Sequence, residues 1–259
     1  MDAIYLWPSW ALIVGMFVPM LIAGEVGYRL GVVHRETTTE AARNVGGAVK
    51  GAIYGLLALL IGFSYSLSTG RFDQRQRLML DEANAIGTCY LRASLLNDPI
   101  KTQLRSALRD YNDQCIALHQ QPFDGQAFQT ASAAMSDQLD KIWASVAAHT
   151  RLDPDLTHVS QVIPAANQVV DLAEARLWAM RNHVPIVVPL ILAMSAIITS
   201  GLTGHSFGEV GGRQPGLWLA LNAMILLVLF AVADFDRPHR GLVRVDQTPF
   251  LDLREFMRR

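Results

Sequence analysis

Long apolar blocks alternate with polar stretches along the 259 residues of the chain. A helix needs about 20 residues to cross roughly 30 Å of hydrocarbon. Four blocks come near that length, at residues 6–26, 46–67, 184–203 and 217–233. Only Lys50 interrupts the second block, near its start, where a long side chain can reach the interface. The pattern therefore predicts four transmembrane helices.

The region between the second and third blocks, residues 71–182, shows helical periodicity, with apolar positions three or four residues apart. Turn-forming residues at 97–99, 121–125 and 153–155 divide it into four helices. Pro164 should kink the last of these, which we expect to continue into the third block. The stripes are typical of core and subunit contacts rather than of cofactor sites.

These patterns predict an all-α membrane protein, with a helical cytoplasmic domain inserted between transmembrane helices 2 and 3. We expect residues 1–70 to hold helices 1 and 2, and residues 71–182 to form the cytoplasmic domain. Residues 183–234 would hold helices 3 and 4, and residues 235–259 a cytoplasmic C-terminal segment.

The orientation follows from the positive residues near the blocks, because Lys and Arg favour the cytoplasmic side. The side shared by both ends and the central region holds Arg71, Arg75, Arg77, Arg176, Arg181, Arg237, Arg240 and Arg244. The two short loops on the other side hold Arg29, Arg35, Arg43, Lys50 and Arg213. This excess predicts that both termini and the central domain are cytoplasmic. The first block has no preceding Lys or Arg, so we expect it to be retained rather than cleaved as a signal.

Composition and motifs narrow the function classes. The net charge of −1 gives no indication of a nucleic-acid partner. The seven histidines are scattered, and the sequence has no HExxH motif, nucleophile elbow or Walker loop, so we expect neither enzyme activity nor a cofactor. Cys89 and Cys115 lack metal-ligand spacing and are expected to be buried structural thiols.

The second block carries the most specific pattern. Gly47, Gly51 and Gly55 recur every four residues, a spacing that favours close helix packing in membranes. Further along, a narrow stripe contains Ala52, Gly55, Leu59, Phe63, Ser66 and Gly70, all within about 40° of one direction at 100° per residue. Repeated around a symmetry axis, this stripe would form an apolar constriction with a polar mouth. An ordinary packing face is the alternative.

Charged residues near the blocks have two interpretations each. Glu25 and Arg29 are four residues apart and are expected to pair on one helix face. Glu82 and Asn84 would lie on a helix just below the second block, where they could line a cytoplasmic vestibule or contact neighbouring subunits. The cluster of Asp234, Asp236, Arg237 and Arg240 is expected to form an interfacial network rather than a gate.

Three motifs resemble known sequences. Gly62-Phe63, followed by Arg71-Phe72 and then Arg75, resembles the end of the pore helix in bacterial bestrophins. The string EANAIGTCYLR, residues 82–92, resembles a signature of the bacterial bestrophin-like family. The ending DFDRPHRGLVRVDQTPFLDL, residues 234–253, is similar to the C-terminal motif of that family.

The resemblance implies a pentameric ion channel with four spans per subunit, placed in the bacterial inner membrane. Inorganic ions, the lipid bilayer and self-association would be its partners. The second span would line the pore at Gly55, Leu59, Phe63 and Ser66. Arg71 and Arg75 join Glu82 and Asn84 as candidates for the vestibule or for gating.

One property of eukaryotic bestrophins is not carried over. Their calcium site uses an acidic cluster after the fourth span, where this sequence has only Asp234 and Asp236, and calcium takes six or more oxygen ligands. Two other functions stay open beside the channel: a non-conducting scaffold or sensor that binds a cytoplasmic partner, and a small-molecule transporter. The two pairs of spans show no convincing internal symmetry, which would have favoured a transporter.

Overall fold

The structure is a computed structural model that describes residues 9–120, 125–152, 156–237 and 242–259. The helices are α1 (Ser9–His34), α2 (Glu40–Arg92), α3 (Ile100–Gln120), α4 (Gly125–Leu152), α5 (Leu156–Arg181), α6 (Val187–Val210), α7 (Pro215–Phe235) and α8 (Thr248–Arg258). A short 3₁₀ turn, Ala93–Leu95, follows α2. No strand occurs among the described residues, so the all-α prediction is confirmed.

Four helices are long and apolar enough to cross a membrane. These segments are Ile13–His34, Glu40–Leu95, Val187–Val210 and Pro215–Phe235. The prediction of four candidate spans is therefore confirmed. Residues 121–124 of the turn predicted at 121–125 lie outside the described residues, as do the turn at 153–155, residues 1–8 and Arg240.

Two predicted helix boundaries are wrong. Helix α2 is continuous over 53 residues, so Glu82 and Asn84 lie on the same helix as the second block rather than on a separate one. It contains no proline, and nothing in its sequence ends it earlier. Conversely, α5 does not continue into the third block, because the helix is interrupted between Arg181 and Val187. Pro185 disfavours helical backbone at the residue before it.

The chain divides into two compact units. Unit 1 comprises Met1–Gly70 and His183–Arg237, and unit 2 comprises Arg71–Asn182 and Pro238–Arg259. Unit 1 contains α1, α6, α7 and the first part of α2, and unit 2 contains the rest of α2 with α3, α4, α5 and α8.

Unit 1 has its own apolar core. Its buried members are Met20, Leu57, Leu192, Ala196, Ile225, Leu226, Leu229 and Val232. The end of α6 is fixed by Gly211, whose positive φ of 81° closes the helix and directs its N–H to the carbonyl of Phe207. Helix α7 then begins with Pro215 in its first turn, where the missing N–H costs no hydrogen bond. These two residues fix the short turn between α6 and α7.

Unit 2 is a bundle with a larger core. The side chains of Ile86, Leu104, Leu108, Tyr111, Ile142, Val169, Ala173 and Phe250 are fully buried there. The last helix, α8, contributes Phe250, Leu253 and Met257 to this core, and its backbone carbonyl at Phe250 accepts a hydrogen bond from Asn112 Nδ2 at 3.1 Å. The C-terminal segment is thus part of unit 2 and not a separate tail.

Candidate functional site on helix α2

One face of α2 in unit 1 is exposed in the part of the chain that the structure describes. Leu59 is 53% exposed and Phe63 is 62% exposed, and Gly55 and Ser66 are exposed beside them. On the other side of the same helix Leu57, Ser64 and Ser68 are buried. The structure therefore brings the four predicted pore residues onto one exposed, mainly apolar face. Apolar side chains at helical spacing need cover from lipid or from other chains in the membrane.

The glycines at the start of α2 lie on an open surface too. A methyl group added at Gly47, Gly51 or Gly55 would meet no atom of the described residues within 4 Å. The close packing predicted from their spacing is therefore not made among the described residues. The stripe leaves room for a helix of another molecule.

The close glycine packing lies instead between α1 and α6, where the sequence analysis did not place it. A methyl group added at Gly27 would overlap the carbonyl oxygen of Gly201, and one at Gly204 would overlap that of Gly24. The sequence does contain a signal for this helix packing. The spacing Gly24-x₂-Gly27-x₃-Gly31 on α1 is repeated on α6 as Gly201-x₂-Gly204-x₃-Gly208. The two backbones touch directly, as glycine allows in membrane helix pairs.

Lys50 of α2 does not extend to the interface as expected but is held inside unit 1. Its Nζ lies 2.7 Å from Glu209 Oε2 and 3.2 Å from His205 Nδ1 on α6, and the side chains of Lys50 and Glu209 are only 15% and 10% exposed. His205 Nδ1 also lies 3.4 Å from Glu209 Oε2, and His205 Nε2 lies 3.4 Å from His34 Nδ1, at the end of α1.

This polar cluster fixes which way α2 faces. Lys50 and Leu59 are nine residues apart, which is about 180° of rotation on an α-helix. A side chain bound to α6 at Lys50 therefore turns Leu59 away from α6. The cluster was not predicted, because its partners are separated by 155–159 residues and no short spacing connects them.

Arg71 and Arg75 cap the end of α5 within unit 2. Arg75 Nε donates to the carbonyl of Ala179 at 3.1 Å, and its Nη2 donates to the carbonyl of Asn182 at 3.0 Å. Arg71 Nη1 donates to the same Asn182 carbonyl at 3.2 Å. Cationic side chains are favourable at the C-terminal end of a helix, whose last carbonyls lack partners. Arg75 is buried, so a role in lining a vestibule does not fit its position.

Glu82 lies in the core of unit 2 and is completely buried. It forms a buried ion pair with Arg176, and its Oε1 accepts a hydrogen bond from the hydroxyl of Tyr111 at 2.6 Å. The vestibule role considered for Glu82 is therefore wrong, since a charge paired inside the core has no access to passing ions. Asn84 is exposed on the same helix and keeps that possibility.

The buried ion pair affects its neighbours. Burial raises the pKa of both the Tyr111 hydroxyl and the Cys115 thiol, and the negative charge of Glu82 acts in the same direction on each. The sulfur of Cys115 lies 3.4 Å from Arg176 Nη2. Cys89 and Cys115 are both buried and free, so the prediction of two buried thiols is confirmed.

A family comparison identifies the chain. Residues 15–250 match the family described as Bestrophin-like domain. The chain belongs to the bestrophin-like family. A search among curated proteins found no match.

Solved structures share the bestrophin-like fold at low sequence identity. A single-residue variant of a bacterial bestrophin homologue from Klebsiella pneumoniae has a TM-score of 0.67 and 12% identity, with 94% of each chain covered. A second variant of that homologue gives a TM-score of 0.65 and 14% identity, covering 93% of this chain and 99% of the other. A structure described only as a membrane protein reaches a TM-score of 0.68 at 12% identity, with 96% of each chain covered. At such identity the similarity establishes the fold alone.

Residues of the bestrophin-like motifs have structural roles in this chain. Asp236 Oδ2 accepts a hydrogen bond from the backbone N–H of Val184 at 3.0 Å, which connects the end of α7 with the start of α6. In unit 2, Asp246 Oδ1 accepts from both the backbone N–H and the hydroxyl of Thr248, at the start of α8. These contacts give Asp236, Asp246 and Thr248 of the motif at residues 234–253 a structural role. They do not identify a transported ion.

Proposed function

We propose that this bestrophin-like chain assembles as a homo-pentamer that conducts inorganic ions across the bacterial inner membrane. The bestrophin fold is that of a family of ion channels and supports a channel-like role. The observation that carries the proposal is the exposed stripe of α2. It combines Leu59 and Phe63, more than half exposed, with small or polar residues before and after them.

The proposed pore has its neck at Leu59 and Phe63. Five copies of this stripe around an axis would enclose an apolar ring that passes ions only when water fills it. Gly55, one turn earlier, widens the path, and Ser66, about one turn later, offers hydroxyl groups where ions recover part of their hydration. Conduction would therefore depend on wetting of the neck, and no covalent chemistry is involved.

The position of Lys50 supports a stripe of α2 that faces the proposed pore axis. Its ion pair with Glu209 of α6 lies about 180° around α2 from Leu59. With one side of α2 paired to its own subunit, the opposite side is the one available for an axis. The glycines Gly47 and Gly51 would permit close approach between neighbouring copies of α2.

For the orientation we propose that both termini and unit 2 face the cytoplasm, following the excess of positive residues on that side. Asn84 is the remaining exposed candidate for the lining of a vestibule. Arg71, Arg75 and Glu82 would act indirectly in this proposal, by fixing the part of α2 that lies in unit 2.

Single-channel recording tests the proposal. Purified protein in planar bilayers should give discrete currents, and Leu59→Ala and Phe63→Ala should each change the conductance or the open fraction severalfold, because the neck would be wider and less apolar. The matched control is Leu227→Ala on α7, whose side chain is 62% exposed, as Phe63 is. Native mass spectrometry gives the number of subunits.

The outcomes separate the parts of the proposal. Silent bilayers with correctly assembled protein would contradict the channel and favour the scaffold or sensor. Currents that both substitutions leave unchanged would contradict the assigned neck but keep the channel. A subunit number other than five would contradict the pentamer alone.

A further inference from the structure

A recess of about 320 Å³ lies in unit 1 between α1, α6 and α7, where α6 ends and α7 begins. Tyr28, Phe207 and Trp218 form its aromatic walls, and Glu25 and Arg213 contribute opposite charges. Gly24 contacts the backbone of Gly204 there, and the indole ring of Trp218 packs directly on Gly24, where an added methyl group would overlap it. Aromatic rings beside charges are typical of membrane helices at the level of lipid headgroups.

The charged residues of the recess remain accessible. Glu25 Oε1 accepts hydrogen bonds from Arg29 Nε at 2.9 Å and from Arg213 Nη2 at 3.3 Å, which confirms the predicted pair of Glu25 with Arg29. The side chains of Glu25 and Arg213 are 39% and 63% exposed. Exposed pairs of this kind contribute little to stability. Arg213 can therefore exchange part of its contact with Glu25 for a phosphate at low cost, and it can bind a phosphate through two parallel N–H groups.

One aromatic face of the recess is already covered by a cation. Arg213 Cζ lies 4.5 Å from the ring centroid of Tyr28, so a quaternary ammonium group, which binds to aromatic faces, cannot use that face. A primary ammonium can donate hydrogen bonds to the carboxylate of Glu25, which a quaternary ammonium cannot do. A group that has both a phosphate and a primary amine therefore matches Arg213 and Glu25 better than a choline headgroup does.

An apolar track continues from the recess along α1. Val18 and Ile22 lie on the same side of α1 as Glu25, by helical spacing, and their side chains are largely exposed. Such a track suits acyl chains, and a small soluble ligand would have no use for it. We infer that the recess binds the headgroup of a phosphatidylethanolamine lipid, with Arg213 on the phosphate and Glu25 on the ammonium.

This inference needs only a membrane around unit 1 and does not depend on ion conduction. Binding is measured on the full-length protein by native mass spectrometry, with phosphatidylethanolamine, phosphatidylcholine and phosphatidylglycerol of identical acyl chains in competition. We expect about tenfold or stronger preference for phosphatidylethanolamine over phosphatidylcholine, the gain of a charge-assisted hydrogen bond.

The variants assign this preference to individual residues. Glu25→Gln should abolish the discrimination between ethanolamine and choline, and Arg213→Gln should weaken binding of all three phospholipids. The control variants Glu36→Gln and Arg43→Gln remove exposed charges from the loop and helix that follow α1 and should leave the preference unchanged. The ratio between lipids is read on the folded assembly only, so partial misfolding does not mimic the result.

Two results would overturn the inference. Equal retention of the three phospholipids by the wild type would show ordinary solvation by lipid without a headgroup site. Displacement of phosphatidylethanolamine by an equal concentration of soluble glycerophosphoethanolamine would show that the acyl chains contribute nothing, and the ligand would then be a soluble phosphoamine.

Discussion

Lys50 of α2 and Glu209 of α6 form an ion pair of 2.7 Å inside unit 1, on the side of α2 opposite Leu59. Both side chains are largely shielded, and His205 and His34 extend the pair into a chain of four polar residues. The pair sets the rotation of α2, the helix that carries the proposed neck. A buried charge of this kind is costly unless its partner is present.

We predict that Lys50→Met lowers the free energy of unfolding by about 3 kcal/mol, since it leaves Glu209 buried without its cation. Thermal unfolding of the purified protein in one detergent measures the loss. Arg43→Met, at an exposed position of the same helix, is the control and should have almost no effect. The double variant Lys50→Met with Glu209→Gln should recover part of the stability. A double variant no more stable than Lys50→Met alone would show that the two residues do not act as a pair.

Substitution of glycine by alanine should have opposite effects on two helices. Alanine is normally favoured over glycine inside a helix by about 1 kcal/mol, so Gly51→Ala on the open face of α2 should raise or preserve stability. Gly204→Ala should destabilise by about 1–3 kcal/mol, because its methyl group overlaps the backbone of Gly24. The two variants are compared with the wild type by thermal unfolding of samples that are all monomeric. Equal effects of the two substitutions would contradict direct backbone contact between α1 and α6.

The ion pair between Glu82 and Arg176 should be needed for the stability of unit 2. Glu82→Gln leaves Arg176 charged in the core, and we expect a loss of about 3–5 kcal/mol. Asp81→Asn is the matched control, because this neighbouring carboxylate is exposed. Replacing both members, Glu82→Leu with Arg176→Met, should be milder than Glu82→Gln alone, as chemical denaturation would measure. If Asp81→Asn lowered the free energy of unfolding equally, the loss would reflect a change in the charge of α2 rather than the loss of the ion pair between Glu82 and Arg176.

A pH dependence should come from His119 at the end of α3. Burial lowers its pKa, and the positive charges of Arg176 and Arg244 act in the same direction, against a hydrogen bond to the Val245 backbone and the charge of Asp246. The unfolded chain, with a histidine pKa of about 6.5, then binds a proton at a higher pH than the folded chain does. Stability is therefore complete above that pH and falls as the pH is lowered toward the folded pKa.

Unfolding measured between about pH 8 and pH 5 tests this sign. The wild type should lose stability as the pH falls, and His119→Gln should show a weaker decrease because glutamine does not titrate. A pH profile that is identical in the two proteins would show that His119 does not contribute.

The sequence predicted what depends on local spacing. Four apolar blocks are visible without a structure, and the period of 100° per residue placed Leu59 and Phe63 on one face of α2, which the chain leaves exposed. The continuity of α2 was also available, because residues 40–92 contain no proline. It was missed because polar residues after the second block looked like the beginning of a new domain.

Contacts between distant residues could not be predicted in this way. Glu82 was considered for the lining of a vestibule or for contact with neighbouring subunits, and glutamate is seldom fully buried unless it is paired. Its burial depends on Arg176, which lies 94 residues later. The partners of Lys50 are equally remote, and a single sequence has no signal that pairs them. Only the glycine spacing shared by α1 and α6 offered a long-range clue that was overlooked.

Backbone meets backbone where Gly24 and Gly27 face Gly204 and Gly201, so no rotamer change can accommodate a shift of α1 against α6. Helices that slide in other proteins do so by rearranging the side chains between them. Here a small step in either direction would press a carbonyl oxygen against a Cα atom. Helices α1 and α6 should therefore move as one rigid pair within unit 1. A motion that opens or closes the proposed ion path would displace α2 or α7 relative to this pair.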